Sequence, residues 1–170
     1  MAPSDALLRT LAAVPPSARV LDLACGRGHH TVPIAALGFD VWACDPAPDA
    51  VAAVRLALDD ALGAGEGPRR VAQSDPRALG YPDAFADWVV ASGLDGPSDA
   101  VLEALVEARR VLRPGGWIWA ELPASDVYTP EGLGALALAA GLAIAEAPRL
   151  DAERGTVAGT FRRVDATSVG

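Results

Sequence analysis

The run Val20-Leu21-Asp22-Leu23-Ala24-Cys25-Gly26-Arg27-Gly28 sets an acid inside an apolar stretch and two glycines just past its end. Gly26 and Gly28 permit a tight turn and bring bare backbone against a ligand. A helix behind such a turn points free N–H groups and a partial positive charge at the same spot. Asp45 stands 19 positions beyond Gly26, at the end of the next apolar run. An acid about 20 residues past a glycine turn accepts hydrogen bonds from ribose hydroxyls. Ser74-Asp75 follows a third short run and offers a carboxylate to an exocyclic amine such as that of adenine. Each acid has a plainer use, Asp45 as a helix cap and Asp75 as a turn former. Three acids at three successive strand ends favour a nucleoside-bearing ligand.

The elements that must position these groups alternate along the chain. Ser4 to Val14 reads as a helix capped by Ser4 and stopped by Pro15-Pro16. Strands are expected at Arg19 to Leu23, Val41 to Cys44, Val71 to Gln73, Asp87 to Ala91 and Trp117 to Glu121. Between them, helical spacing or cap signals mark His30 to Leu37, Pro46 or Pro48 to Leu62, and Pro97-Ser98 to Leu112, with a turn at Gly63 to Pro68. Arg113-Pro114-Gly115-Gly116 reads as a sharp helix stop, and Thr129-Pro130 opens a further helix that Gly141 closes. Leu142 to Ala147 and Thr156 to Val164 have nothing helical between them and read as an antiparallel hairpin. Trp42, Trp88, Trp117 and Trp119 fall inside strand patterns and read as packing residues. The alternation implies an α/β fold with a mostly parallel sheet covered on both faces, and a ligand beyond the C-terminal strand ends.

The bulk numbers are consistent with this. A chain of 170 residues, 51% hydrophobic and 21% charged, suits one globular domain, expected to span 1–170 with an N-terminal helix in 1–16 and a core in 17–164. A net charge of −8 opposes a phosphate backbone, so nucleic acid is not an expected partner. No apolar run reaches membrane-spanning length and the N-terminus lacks a signal-peptide pattern, so no membrane association is expected and a cytoplasmic location is. The chain has neither lysine nor asparagine and is rich in alanine, a bias expected of a GC-rich genome. Cys25 and Cys44, with His29-His30, match no zinc spacing. No metal is expected, and the thiols read as buried and reduced.

On these motifs the chain resembles the class I S-adenosylmethionine-dependent methyltransferases, in particular the small bacterial type with a minimal core. Asp22 to Gly28 looks like their glycine motif, Cys44-Asp45 like their ribose-binding acid, and Ser74-Asp75 with Tyr81 to Asp87 like their adenine loop. Ala108-Arg109-Arg110-Val111-Leu112-Arg113-Pro114-Gly115-Gly116, the most specific string, looks like their helix end before strand five. The resemblance implies a doubly wound, Rossmann-like seven-stranded sheet in the order 3-2-1-4-5-7-6 with strand 7 antiparallel. It implies S-adenosylmethionine as cofactor, bound by Asp22, Ala24, Gly26, Gly28, Asp45, Pro46, Asp75, Pro76 and Ser92. Two departures stand out. Ala24 replaces a glycine, a mild change at negative φ. Pro76 lacks the N–H that the family often uses on an adenine ring nitrogen, a loss on the order of 1 kcal/mol.

Methyl transfer from a sulfonium is an in-line displacement that needs positioning and no covalent nucleophile, so the lack of a Ser/His/Asp arrangement fits. Loops after strands four and five should meet a small-molecule acceptor. Asp95 there is a candidate contact or a local cap. His29 and His30, beside the expected sulfonium, should be neutral; they either line the acceptor pocket or act as a base, or simply pack at a helix start. With no long insertion to form a lid, the acceptor side is expected to be open, reduced, or covered by a second copy or a partner subunit. Two other readings stay open: a cofactor-binding but inactive regulatory subunit, and an NAD-dependent oxidoreductase. Thr31, where the latter's third glycine belongs, counts against it.

Overall fold

The computed structural model describes residues 4–165. The ends of the expected 1–170 domain, residues 1–3 and 166–170, lie outside that span. In chain order the elements are α1 (Asp5–Leu11), β1 (Arg19–Leu23), α2 (Thr31–Ala36), β2 (Asp40–Asp45), α3 (Pro48–Leu62), α4 (Glu66–Arg70) and β3 (Val71–Gln73). There follow β4 (Ala86–Ala91), α5 (Ser98–Val111), β5 (Leu112–Pro123), α6 (Pro130–Ala139), β6 (Leu142–Asp151) and β7 (Thr156–Arg163).

The strands form one sheet in the order β3-β2-β1-β4-β5-β7-β6. β7 runs antiparallel to both β5 and β6, and the pairs from β3 to β5 are parallel. Alternation along the strands sends side chains to two cores. Leu21, Leu23, Val89 and Ile118 pack with α5 and α6. Val20, Val41, Val90 and Trp119 pack with α1, α2 and α3.

Local signals explain most boundaries. The Ser4 hydroxyl accepts from Leu7 N–H at 3.4 Å and starts α1, which ends at Leu11, three residues before the expected Val14. The Thr129 hydroxyl accepts from Gly132 N–H and starts α6, with Pro130 in its first turn. Two segments differ from expectation. The turn expected at 63–68 contains the start of α4, where Glu66 pairs with Arg69 and Arg70 one turn on. Pro114-Gly115-Gly116 does not leave the sheet. Leu112 already pairs with Ala86, the register shifts, and pairing resumes at Trp117 with Trp88, so the proline and glycines form a bulge inside β5.

Candidate functional site

The C-terminal ends of β1, β2 and β4 meet at the glycine turn. Gly26 N–H donates to Asp45 Oδ2 at 2.8 Å, and Ala47 N–H donates to Asp45 Oδ1 at 2.9 Å. The acid at the end of β2 therefore pins the turn after β1 and also caps the approach to α3. A carboxylate has about four lone-pair sites, so Asp45 keeps acceptor capacity after these two bonds. Gly26 and Gly28 have φ of 53° and 81°, conformations that glycine adopts without strain. Ala24 sits at φ 50°, which corrects the expectation of a mild change: its Cβ is carried in the left-handed region.

Asp22 lies beneath this turn, 1% exposed. Its Oδ2 accepts from the Thr31 hydroxyl at 2.6 Å, while Oδ1 has no partner among the described residues. Burial raises its pKa to about 7, against the opposing hydrogen bond from Thr31 and with help from the charge of Asp45. Thr31 is thus committed to Asp22 at the place where a dinucleotide fingerprint would need glycine.

A cavity of about 430 Å³ opens beside the turn. Ala24, Asp45, Pro46, Asp75, Pro76 and Asp95 line it, all of them named from sequence. Asp22, Gly26, Gly28 and Ser92 do not; they stand behind it or beside it. Gly93 and Leu94, from the loop after β4 expected to meet the acceptor, also line it, and the remaining wall, which the sequence reading missed, is Arg77 and three residues of α5, Ala100, Val101 and Ala104. Gly93 is required by sterics, because a Cβ there would lie 1.9 Å from the Ala24 carbonyl oxygen. Asp75 is not a free acceptor. Arg77 donates to it from its backbone N–H at 2.8 Å and from its guanidinium at 2.8 and 3.1 Å, and these bonds hold its pKa down at about 2. The loop that follows is tied to α5 by Arg110, which donates to the carbonyls of Leu79 and Tyr81 and to Asp83. That gives one arginine of the helix-end string a structural job.

His30 is buried and doubly bonded. Its Nε2 accepts from Ser4 N–H at 3.1 Å, so the ring hydrogen sits on Nδ1 and donates to Ser92 Oγ at 3.0 Å. Burial lowers its pKa, in keeping with the neutral ring. It joins the start of α1 to the end of β4 and has no nitrogen left for a proton transfer. His29 is exposed and lines neither this cavity nor the larger one discussed below. Cys25 and Cys44 are free and buried, and burial pushes the Cys44 thiol up to about 12, so neither is a nucleophile at neutral pH. Among the described residues, no group of three or more His, Cys, Asp or Glu could hold a metal, and no helix is long and apolar enough to cross a membrane.

The family model described as a methyltransferase domain matches residues 20–116, from β1 through the bulge of β5. No curated protein sequence matches the chain. Solved structures do. An S-adenosylmethionine-dependent methyltransferase from Methanosarcina mazei superposes with a TM-score of 0.75 at 15% identity, over 98% of this chain and 100% of that one. One from Aquifex aeolicus gives 0.68 at 18% identity, over 92% and 89%. The cyclase SpnF gives 0.73 at 20% identity, over 95% and 81%. At these identities the likeness speaks for the fold, and the family model, which spans more than half of the chain, speaks for the family. The chain belongs to the methyltransferase domain family, and its fold is that of the class I S-adenosylmethionine-dependent methyltransferases.

Proposed function

We propose that the protein binds S-adenosylmethionine in the 430 Å³ cavity and transfers its methyl group to a small-molecule acceptor. The observation that carries this reading is Asp22. A buried carboxylate with one unpartnered oxygen, under a glycine turn, is costly unless a ligand meets it. Asp22 does not line the cavity, and the amino group of the cofactor's methionine part, reached through water, is the partner that suits it.

When bound, the cofactor supplies a methyl group on a sulfonium, ready for in-line displacement. The chain's own residues do the holding. Asp45 offers its remaining lone pairs to the ribose hydroxyls, while its bonds to Gly26 and Ala47 keep the turn in shape. Asp75 offers a remaining lone pair to the adenine amine, while Arg77 holds the carboxylate in place. Pro76 presents a ring and no donor, so the adenine lies against it by contact alone. Gly93 lets the Ala24 backbone close over the cavity, and Leu94 and Val101 supply apolar wall. No residue of the described chain is assigned as a base. Fixing the acceptor on the axis of the breaking bond is the chief contribution asked of the protein.

Calorimetry tests this. S-adenosylhomocysteine should bind and NAD should not, and Asp45→Ala should lower affinity by at least tenfold. Binding of NAD in preference, or unchanged affinity in the variant, would overturn the assignment. Release of S-adenosylhomocysteine with a small acceptor present separates an enzyme from an inactive binding subunit.

A further inference from the structure

A second and larger cavity, about 900 Å³, lies on the face of β5, β7 and β6 next to α1. Ser4 and the α1 residues Ala6, Arg9 and Thr10 line one side of it. Two buried polar groups on adjacent inward positions of β5 line it. Glu121 is 4% exposed; its Oε1 takes the Arg154 Nε–H at 3.1 Å and the Thr156 hydroxyl at 3.0 Å, and its Oε2 has no partner among the described residues. Trp119 is 5% exposed and its indole N–H is also unpartnered there. The floor beside them is Ala158, which pairs with Glu121 across the ladder and leaves width for a ligand.

The trough and the proposed cofactor cavity share no lining residue, but hydrogen bonds through one imidazole link their walls. Ser4 lines the trough, and its N–H donates to His30; the other nitrogen of that ring donates to Ser92, and Gly93 lines the smaller cavity. We infer that this trough binds the methyl acceptor, with Glu121 Oε2 accepting from an N–H or O–H of the acceptor and the Trp119 indole N–H donating to its carbonyl or ring nitrogen. The inference rests on the proposed methyl transfer. It names a substrate class: a neutral, flat, polar small molecule such as an aromatic amide or a heterocycle with donor and acceptor a few ångströms apart. Neutrality follows from charge balance. The Glu121 carboxylate already has a guanidinium against it, so a cationic ligand would add an unbalanced buried charge. The spacing follows from the strand, since the two groups are two residues apart and hence about 7 Å at their Cα atoms.

The test uses the full chain and 3-aminobenzamide as reference probe, within a panel of neutral amides and hydroxy-heterocycles. The four tryptophans give four indole peaks in a ¹H–¹⁵N spectrum, and Trp119→Phe identifies the one of interest. Millimolar probe should shift that peak. Glu121→Gln should weaken binding by about tenfold while leaving the affinity for S-adenosylhomocysteine unchanged. Ala158→Leu, which fills the floor and keeps both polar groups, should abolish the shift and guards against a misfolded Glu121 variant. No movement of the Trp119 peak with any member of the panel, or equal binding in the Glu121 and Ala158 variants, would overturn the inference. The two readings fail separately. A trough that binds while S-adenosylhomocysteine does not would sink the cofactor reading. Cofactor binding with a silent Trp119 would sink the acceptor site.

Discussion

The two halves of the sheet treat their polar residues differently. From β3 to β4 the strands are parallel and helices cover both faces, so β1 and β4 are buried along almost their whole length. In that half a polar side chain survives only by bonding, as Asp22 does to Thr31 and Asp45 does to the glycine turn. In the β5, β7 and β6 half the last two strands form an antiparallel hairpin, and β6 is exposed at most positions. There one face is open, and Glu146, Arg149 and the rim of the Glu121 trough meet solvent. The closed half is tight around a fixed ligand geometry. The open half has slack, and the contrast can be measured.

The largest expected effect is in the closed half. Gly93→Ala places a methyl group 1.9 Å from a backbone oxygen, a clash that no side-chain rotation relieves. The turn after β1 or the loop after β4 must shift. We expect a loss of about 3–5 kcal/mol in stability and no detectable binding of S-adenosylhomocysteine. A thermal melt and a calorimetric titration check both. A variant that binds normally would mean that the turn is softer than its packing suggests.

Asp22 gives the next largest effect, through pH. Its folded-state pKa, near 7, lies above the ordinary aspartate value of about 3.9. The folded state therefore holds the proton more tightly than the unfolded chain does. Stability should fall as pH rises from about 4 to about 7 and then level off, with a total on the order of 4 kcal/mol. Asp22→Asn should flatten that slope in melts across the range. S-adenosylhomocysteine affinity should rise with pH up to about 7 in the parent chain and be lower and flat in the variant. Parallel slopes in the two proteins would mean that the carboxylate is ionised throughout.

How much of this was legible in the sequence follows the same division. β1 falls at Arg19–Leu23 and β3 at Val71–Gln73, as expected, because short apolar runs bounded by turn residues leave no other choice in a parallel sheet. β5 and β6 run longer than expected. Pro114-Gly115-Gly116 reads as a helix stop, yet it forms a bulge inside the strand, and the exposed tail of β6 has no apolar alternation to mark it. The cavity's strand-end residues were readable from type and spacing. Its α5 wall was not, since helical periodicity shows that a face is buried but not that a cavity opens against it. The Arg77 clamp on Asp75 was equally hidden, being a matter of geometry two residues away. Glu121 did carry a signal. An acid inside the run Trp117-Ile118-Trp119-Ala120-Glu121-Leu122 is the same anomaly as Asp22 inside β1.

In the open half a glycine can be replaced with profit. Gly134 lies in the interior of α6, and a Cβ there would meet Ile144 Cδ1 at 3.7 Å and Pro148 Cγ at 3.9 Å, ordinary contact distances. Gly134→Ala should stabilise the protein by about 0.5–1 kcal/mol, through helix propensity, and leave ligand binding unchanged. The reverse sign in a denaturant titration would show that this half is packed as tightly as the other.

The finest test returns to the glycine turn. Ala24 sits at φ 50°, where an L-residue with a Cβ is disfavoured by about 1–2 kcal/mol relative to glycine. Glycine there also frees the unfolded chain, which opposes the gain by about 0.4–1 kcal/mol. The two terms have opposite signs, and the strain term is the larger. Ala24→Gly should therefore stabilise the protein by about 0.5 kcal/mol, in contrast to the same change in a helix. Its carbonyl, pressed over Gly93, would keep its place, so S-adenosylhomocysteine affinity should change by less than about twofold, within the 0.4 kcal/mol that this ratio represents. A loss of stability on that substitution would place Ala24 in an unstrained conformation, and the closed half would then not be storing strain at its ligand turn.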